Sequence, residues 1–520
     1  MKRMSSLLFL LLAASCPALH ADDVAAPQSK GTYDYHDAMT LWQASHNAAG
    51  LGLDSMVNRG VTWLEASHRH NSHHLVQEGD ARNALGFTSE RYQQVGKYLV
   101  AHGKFAFEMG RDFNRAWCDE LRTRHSVPYT SGSAIAGKYE RQFIDLSAQL
   151  ATRPLGPFTY GFGLDYQVGD YSRLRDPRSR VNLAVYRVVP SLTYSIGRHT
   201  LGLAAHYRRY KEKVLGLTTV QTDATLTYYQ HTGMEHTVGT VGGYASFSRQ
   251  YVNHEFGGEL TYGWSSDALR SLTTLGLDHA REYIHEPFKA EPAAWRNQQW
   301  RILSQNRLRA GRMLHQLDAA FCYRPALGDE HRQERQISID PATGISSTRY
   351  VTLINYRSRY EVEEYWAQLH YRAMWLDAAT RSRAYLGARA TWQYDREQYN
   401  LPVSFMKVGG LTTLAEGGIE AFRRGERSLW LEAQAGYHFS TQSELSLHDA
   451  TGLYATSVLI PNMDYYGASY FDSQLALTWQ MPVRFKHYRN VWYARLDGSY
   501  LTTDKETDAY RVSFAIGIYY

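Results

Sequence analysis

Apolar and polar positions alternate along the last eleven residues of the chain, and the residues between the apolar ones are small or polar. A period of two residues is typical of a β-strand, whose successive side chains point to opposite faces. In a soluble sandwich the apolar face would cover a second sheet, whereas in an outer-membrane barrel it would face lipid. The residues of this face are Tyr510, Val512, Phe514, Ile516, Ile518 and Tyr520.

The same alternation recurs from about residue 60 to the end, most clearly over 365–375, 386–394 and 429–439. The opposite phase is rich in charged side chains. Such a density of charge cannot fill a dry core unpaired, but it can line a water-filled lumen. The predicted lumen-lining residues are Arg208, Arg324, Arg372, Arg389, Arg495, Glu259, Asp318, Glu432, Asp497 and His370.

The connections between the predicted strands fall into a short and a long class. Short turns are predicted at 95–97, 153–157, 197–198, 253–255, 310–312, 377–381, 423–426 and 486–490, and longer loops at 111–137, 267–297, 325–349 and 441–467. Short turns at one end and long loops at the other are typical of outer-membrane barrels with periplasmic termini.

The sequence therefore predicts an all-β fold, a transmembrane antiparallel β-barrel in the outer membrane formed by residues 60–520. Eight short turns join nine hairpins and give 18 strands as the best count, and the loss of the hairpin near 60–94 would give about 16. The alternative is a large soluble all-β protein. A propeller would show a repeated blade motif at about 40–50 residues, and no such repeat is visible.

Composition narrows the classes further. The mean hydropathy of -0.46 argues against a bundle of membrane-spanning helices, whereas 39 tyrosines and an aromatic content of 13% suit the interfacial girdles of a barrel. The net charge of +5 is mild and evenly spread, so that no nucleic-acid partner is expected. Outer-membrane lipid is expected to surround the outer face of the barrel.

Residues 1–21 are predicted to be a signal peptide. Lys2 and Arg3 precede an apolar run over 7–12, and Ala21 suits a cleavage site. The alternative is a lipoprotein signal at Cys16, which lacks the usual leucine three residues earlier and is followed by Pro17. Both alternatives take the protein out of the cytoplasm.

Two cysteines, Cys118 and Cys322, remain in the mature chain. They form neither a disulfide framework nor a zinc constellation, and a single bridge between them stays open.

Residues 22–59 do not alternate and are predicted to be a periplasmic or lumenal hatch-like segment. Within it, Asn47-Ala48-Ala49-Gly50-Leu51 is similar to the Asn-Pro-Ala-Gly-Leu segment of the outer-membrane fatty-acid-transporter superfamily, in which an N-terminal segment folds inside the barrel. The chain departs from that motif at Ala48, where the superfamily has proline.

The pattern as a whole resembles an outer-membrane β-barrel family of unknown function that is common in Bacteroidota. The resemblance rests on the leader, on 42–51, on 92–107 with Lys104-Phe105-Ala106-Phe107, and on the terminal strand. It implies a role near TonB-dependent uptake systems, for iron or haem, and brings no catalytic residue. The terminal strand, ending in Tyr520, is similar to the signal that the barrel-assembly machinery recognises in such proteins.

The functional hypothesis is a channel or accessory component in solute uptake across the outer membrane. The first alternative is a barrel with a filled lumen that serves as a partner of a TonB-dependent receptor or a surface lipoprotein. The second is an outer-membrane hydrolase with His206, His370 or His438 as the base, although no Gly-x-Ser-x-Gly elbow is present. An enzyme is not the expected class.

Other clusters carry weaker indications, and no cofactor is predicted. Imidazoles in a predicted outer loop could bind a metal or haem, but a solvated loop is the preferred interpretation. Acidic residues in the 325–349 loop lack the spacing of a calcium loop. The inward arginines either form a cationic lumen or pair with Asp165, Glu259, Asp318, Glu432 and Asp497. The weak metal candidates are His68, His70, His73 and His74.

Overall fold

The computed structural model describes residues 29–54, 58–123, 127–220, 226–242, 247–339, 341–485 and 488–520. The predicted signal peptide (1–21), with Cys16, and the first residues of the predicted hatch-like segment lie outside these ranges. Within them, no helix is both long enough and apolar enough to cross a membrane.

Antiparallel strands dominate the described residues. The strands are β1 (Arg59–Asn71), β2 (Ala81–Val95), β3 (Leu99–Arg115), β4 (Ser131–Gly132), β5 (Gly137–Thr152), β6 (Phe158–Arg173), β7 (Arg180–Ile196), β8 (His199–Val214), β9 (Thr227–Gly233), β10 (His236–Val241), β11 (Arg249–Ser265), β12 (Leu269–His285), β13 (Ala293–Ala310), β14 (Met313–Ile339), β15 (Ser346–Leu376), β16 (Ser382–Tyr399), β17 (Ser404–Arg424), β18 (Arg427–Ser446), β19 (Tyr470–Phe485), β20 (Tyr488–Thr503) and β21 (Asp508–Tyr519).

All of these strands except β4, β9 and β10 form one 18-stranded sheet, which confirms the predicted fold and the best strand count. The sheet closes because β21 pairs with β20 on one side and with β1 on the other, where Val61 lies opposite Tyr519. Closure leaves no sheet edge around the barrel wall, so every strand has two neighbours.

The alternation in the sequence becomes an inside and an outside of the barrel. In β6, Tyr160 and Phe162 are each 50% exposed, whereas Thr159 between Phe158 and Tyr160 is 1% exposed. The terminal strand repeats this pattern, since Phe514 and Ile516 are exposed while Ala515 is buried. A closed sheet with an apolar outer face matches the surface that a bilayer requires.

Short turns gather at the end of the barrel that carries Arg59 and Tyr519. The predicted turn at 253–255 is wrong, because these residues lie inside β11, and the connection to β12 is 266–268. The polar residues at 253–255 suggest a turn, but in this part of β11 polar side chains lie on both faces of the barrel wall. Glu255 contacts Arg208 on the inner side, while His254 Nδ1 lies 2.8 Å from the hydroxyl of Tyr207.

Two of the predicted long loops are largely strand. The range 267–297 contains β12, and 325–349 is the end of a hairpin formed by β14 and β15. β14 pairs with β13 as far as Glu330, and β15 pairs with β16 from Tyr360. Beyond these points, the described parts of 331–357 pair with each other as a two-stranded ribbon.

Helical elements and a small sheet lie apart from the wall. They are α1 (Lys30–Ala38), α2 (Ile460–Tyr466), the single turns Trp42–Ala44, Ala48–Gly52, Pro287–Lys289 and Ala455–Leu459, and the sheet of β4, β9 and β10. At the end opposite the short turns, Trp117, Tyr129 and Tyr454 pack with the strand residues Tyr251 and Tyr360 in one buried apolar cluster. This outer core lies within the bore.

Candidate functional site: the occupied lumen

Residues 29–54, here called the inner segment, form a chain of short helical turns. The hydroxyl of Ser29 accepts a hydrogen bond from the Thr32 N–H and caps α1, and Asn47 caps the turn that follows it in the same way. Trp42 and Leu51 are 7% and 2% exposed, respectively. Because the segment has little core of its own, its apolar side chains are buried against the barrel wall.

Lys30 anchors the inner segment to one side of the barrel. Its Nζ lies 3.2 Å from Glu432 Oε1 on β18 and 2.9 Å from Asp34 Oδ2, and its backbone N–H donates to Gln480 Oε1 on β19 at 3.0 Å. Burial lowers the pKa of Lys30, but Asp34 and Glu432 outweigh it, so this pKa lies above its ordinary value. Lys30 therefore stays charged and paired.

His46 anchors the segment to the opposite side. Its Nδ1 lies 2.7 Å from Glu259 Oε1 on β11, and its backbone N–H donates to Glu259 Oε2 at 2.8 Å. The guanidinium of Arg187 contacts its Nε2, and that of Arg301 lies 3.1 Å from Glu259. The ring also stacks edge-on against His206, with 5.4 Å between centroids.

Contacts just after the second anchor bring the segment onto β6 and β7. The N–H of Ala49 donates to Ser191 Oγ at 2.9 Å, and the side-chain amide of Asn47 donates to the Leu192 carbonyl at 3.3 Å. Gly161 makes the approach possible, since a Cβ there would lie 2.1 Å from the Ala49 nitrogen. The inner segment thus crosses the bore from β18 and β19 to β6, β7 and β11.

Two polar cavities, each with about 1280 Å³ of empty volume, lie between the inner segment and the outer core. Asp145 and Gln167 line both of them. Cations and carboxylates line both cavities in nearly equal numbers, so neither sign of charge dominates the lining. The charged residues of the first cavity are Lys104, Arg187, Arg208, Arg301, Asp145, Asp165, Glu255 and Asp278, and those of the second are Arg69, Arg82, Arg115, Arg122, Arg141, Glu78, Glu108, Asp112 and Asp145.

Four of the five predicted lumen arginines lie beside carboxylates. Arg208 pairs with Glu255 at 3.4 Å, Arg372 with Glu416 at 2.7 Å, Arg495 with Glu432 at 2.6 Å, and Arg324 contacts Glu364. Arg389 lies opposite His370 on the inward phase, and no ion pair joins it to another described residue.

The predicted lumen carboxylates lie beside cations. Asp318 is 2.5 Å from Arg307, Asp497 is 3.8 Å from Arg495, and His370 Nε2 is 2.8 Å from Glu416. Glu259 and Glu432 hold the two anchors of the inner segment. The anchoring partners could not be read from the sequence, because Lys30 and His46 lie in a segment without periodicity.

The candidate metal histidines are not in one loop and do not converge. His68 and His70 lie on β1 with their rings 5.9 and 5.6 Å from the ring of Tyr510, and His73 stacks on Tyr465 at 4.5 Å. The Nδ1 of His74 contacts the Leu75 carbonyl. Among the described residues, no group of three or more His, Cys, Asp or Glu side chains is arranged to hold a metal ion.

The three histidines considered as catalytic bases lie in different surroundings. His206 Nε2 is 3.3 Å from Asp278, His370 contacts Glu416, and His438 Nδ1 is 2.8 Å from the Thr412 hydroxyl. Within the described part of the chain, none of the three has both a hydroxyl and a carboxylate within hydrogen-bond distance. Cys118 and Cys322 are both free thiols.

A further anchor lies at the outer end of the lumen, and the sequence analysis did not predict it. Arg122, in the loop after β3, pairs with Glu282 at 2.8 Å and with Glu212 at 3.3 Å, and both carboxylates are fully buried. Glu120 accepts a hydrogen bond from Tyr251 at 2.7 Å. The signal in the sequence is the presence of bulky residues such as Trp117 and Tyr129 inside the predicted long loop at 111–137.

A closed barrel of 18 strands with an apolar outer face, a polar lumen and periplasmic termini is an outer-membrane β-barrel of the Gram-negative type. The chain belongs to a family of unknown function, DUF6850, whose match covers residues 48–520. Comparison with curated proteins found no match.

Solved structures that are similar to this chain include an outer-membrane transporter and a siderophore receptor. The outer-membrane transporter YddB from Escherichia coli is 9% identical with a TM-score of 0.41, and the match covers 88% of this chain and 80% of that chain. The siderophore receptor PiuA from Acinetobacter baumannii is 8% identical with a TM-score of 0.37, covering 88% and 82%. OpdK from Pseudomonas aeruginosa, solved with vanillate, is 10% identical with a TM-score of 0.34, covering 89% and 98%.

Proposed function

We propose that the protein is a gated channel for solute uptake across the outer membrane, with the inner segment as its periplasmic gate. The observation that carries this proposal is the anchoring of the inner segment at both sides of the bore. Lys30 with Glu432 and His46 with Glu259 form polar latches inside the lumen. A segment held by a few ion pairs and a few apolar side chains can leave more readily than one that belongs to a continuous core.

The outer end is the second gate in this proposal. Arg122 joins the loop after β3 to Glu212 and Glu282, and the outer core packs above it. Because both ends are occupied, the described state is a resting state, and passage requires both gates to open. The balanced charges of the two cavities favour small polar or zwitterionic solutes over simple anions.

The test exploits two gates in series. In planar bilayers we expect rare openings from the wild type, a modest increase from His46→Ala or Arg122→Gln, and a much larger increase from the double variant. A channel with two closed gates conducts freely when both are released, so the two effects should multiply.

The control pair is His315→Ala with Arg111→Gln. His315 contacts Tyr371 on the outer face, and Arg111 forms an exposed ion pair with Glu140, so neither touches a gate. Wild-type behaviour is expected from this pair. If none of the variants conducts ions or carries sugars or amino acids into liposomes, the protein is not a channel.

A second candidate function is supported by the ribbon at 331–357. It extends beyond the strands that flank it and exposes Ile337, Ile339 and Leu353 by 58%, 66% and 55%. Exposed apolar patches of this kind mark sites for protein partners. In this candidate the barrel is an accessory to a TonB-dependent receptor or a surface lipoprotein, in a system for iron or haem.

Co-purification from native membranes tests the second candidate. A wild-type protein that retains an outer-membrane partner, and a variant with 333–352 replaced by a short turn that loses it, would support this role. If the wild type and the variant retain the same set of proteins, the ribbon is not the binding surface.

A further inference from the structure

Arg424 and Arg427 face each other at the periplasmic end of the hairpin formed by β17 and β18. They are direct cross-strand partners on either side of the two-residue turn, and both are exposed. No described residue forms an ion pair with either of them. Like charges directly opposite each other in a sheet are destabilising, so an anion bound between the two arginines would reduce their electrostatic repulsion.

The pair lies on the lipid side of the barrel wall. A bulge between Glu420 and Phe422 shifts the phase of β17, so that Phe422 lies opposite Leu429 on the outer face. Phe422 is 45% exposed and stacks on Trp479, with 6.1 Å between ring centroids. Aromatic residues of this kind mark the membrane interface, where lipid headgroups lie.

The neighbouring arginines on the lumen side are neutralised within the protein. Arg381 lies 2.8 Å from Asp377, Arg383 lies 2.6 Å from Glu420, and Arg423 lies 3.5 Å from the same glutamate. A groove with about 1160 Å³ of open volume joins the two sets of arginines. Of the arginines that line this groove, only the outward pair therefore has no ion-pair partner among the described residues, and Glu426 of the turn is the one carboxylate in the groove lining.

We propose that Arg424 and Arg427 together bind the phosphate of an anionic phospholipid in the periplasmic leaflet. Guanidinium groups match phosphate oxygens with paired hydrogen bonds, and a phosphodiester between the two would remove their repulsion. The acyl chains would then lie along Phe422 and Trp479. The site is independent of the proposed gating.

Native mass spectrometry of the full-length mature protein tests this proposal. Delipidated protein in detergent would be titrated with dioleoyl phosphatidylglycerol, with dioleoyl phosphatidylcholine and with inorganic phosphate. We expect phosphatidylglycerol to bind, and Arg424→Gln with Arg427→Gln to weaken this binding about tenfold. Heat-modifiable migration on gels would verify that each variant is a folded barrel.

The matched control is Arg198→Gln with Arg312→Gln, which removes the same charge from two other periplasmic turns. An equal loss of phosphatidylglycerol in this control would overturn the proposal in favour of general attraction to the rim. Undiminished binding in the Arg424/Arg427 variant would overturn it as well. Binding of inorganic phosphate without phosphatidylglycerol would reassign the pair to a soluble anion and overturn the lipid as the ligand.

Discussion

Replacing Gly161 by alanine should undock part of the inner segment without changing the lipid-facing surface. The new Cβ would lie 2.1 Å from the Ala49 nitrogen and 2.5 Å from the Ala48 carbonyl carbon. These are backbone atoms, and the shorter distance is about 1.3 Å below the 3.4 Å at which ordinary contact begins. The strand cannot retreat because it is paired on both sides, so the inner segment must move.

The cost of such overpacking is about 1–3 kcal/mol, which corresponds to a shift of about 5-fold to 150-fold in the docking equilibrium of the segment. Hydrogen exchange of the peptide that covers 40–54 reports this equilibrium directly when opening is fast and reversible. We expect faster exchange of the backbone amides of 47–53 in Gly161→Ala, by a factor in that range, with unchanged exchange in the strands.

Gly163→Ala is the matched control for this prediction. Gly163 lies on the same strand and the same face, but a Cβ there would meet Val189 at 3.4 Å and Ala48 at 3.9 Å, which is ordinary contact. It should exchange like the wild type. Equal protection of 47–53 in both variants and the wild type would show that the segment does not rest against β6, and would refute the reasoning.

Three further predictions concern charge, thiol access and closure. Burial raises the pKa of Asp54 to about 7, so its contribution to docking is complete below about 3.8 and is lost as pH rises through about 7. Protease cleavage of the inner segment should therefore be faster at pH 8 than at pH 6, and Asp54→Asn should reduce the difference; an unchanged difference would contradict this. Cys118 is 2% exposed and burial raises its pKa, so a water-soluble maleimide should not label it in the native protein, while Cys322, opposite Arg301 on the lumen side, should react with small thiosulfonates. Early labelling of Cys118 would show that the outer core opens. Deletion of 512–520 removes most of the pairing of β21 with both neighbours and should abolish insertion, and a truncated protein that remains heat-modifiable would disprove this.

The sequence predicted the architecture because the barrel obeys a local rule. Each strand repeats a period of two, and the contrast between Tyr160 and Thr159 is visible in the sequence before any contact is known. Strand ends were harder to predict, since polar residues end strands in most sheets but continue them beside a watery lumen. The error at 253–255 and the strand hidden in 267–297 both have this cause.

The contents of the lumen could not be predicted in the same way. The contact of His46 with Glu259 joins residues 213 positions apart, and that of Arg122 with Glu282 joins residues 160 apart. Nothing local in the sequence selects these partners among the many charged residues. The ion-pair partners of the inward arginines are likewise set by the closure of the sheet. The composition of the lumen was therefore predictable, but its pairing was not.

The contact between the Lys30 backbone and Gln480 joins two residues that are 450 positions apart. The chain that forms one side of this contact is therefore synthesised 450 residues before the chain that forms the other side. The binding surface of the inner segment is consequently incomplete until β19 has joined the barrel wall. We therefore expect docking of the segment to be among the last events of assembly. A barrel that lacks β19 would therefore also lack this contact of the inner segment, and its lumen would be less completely filled.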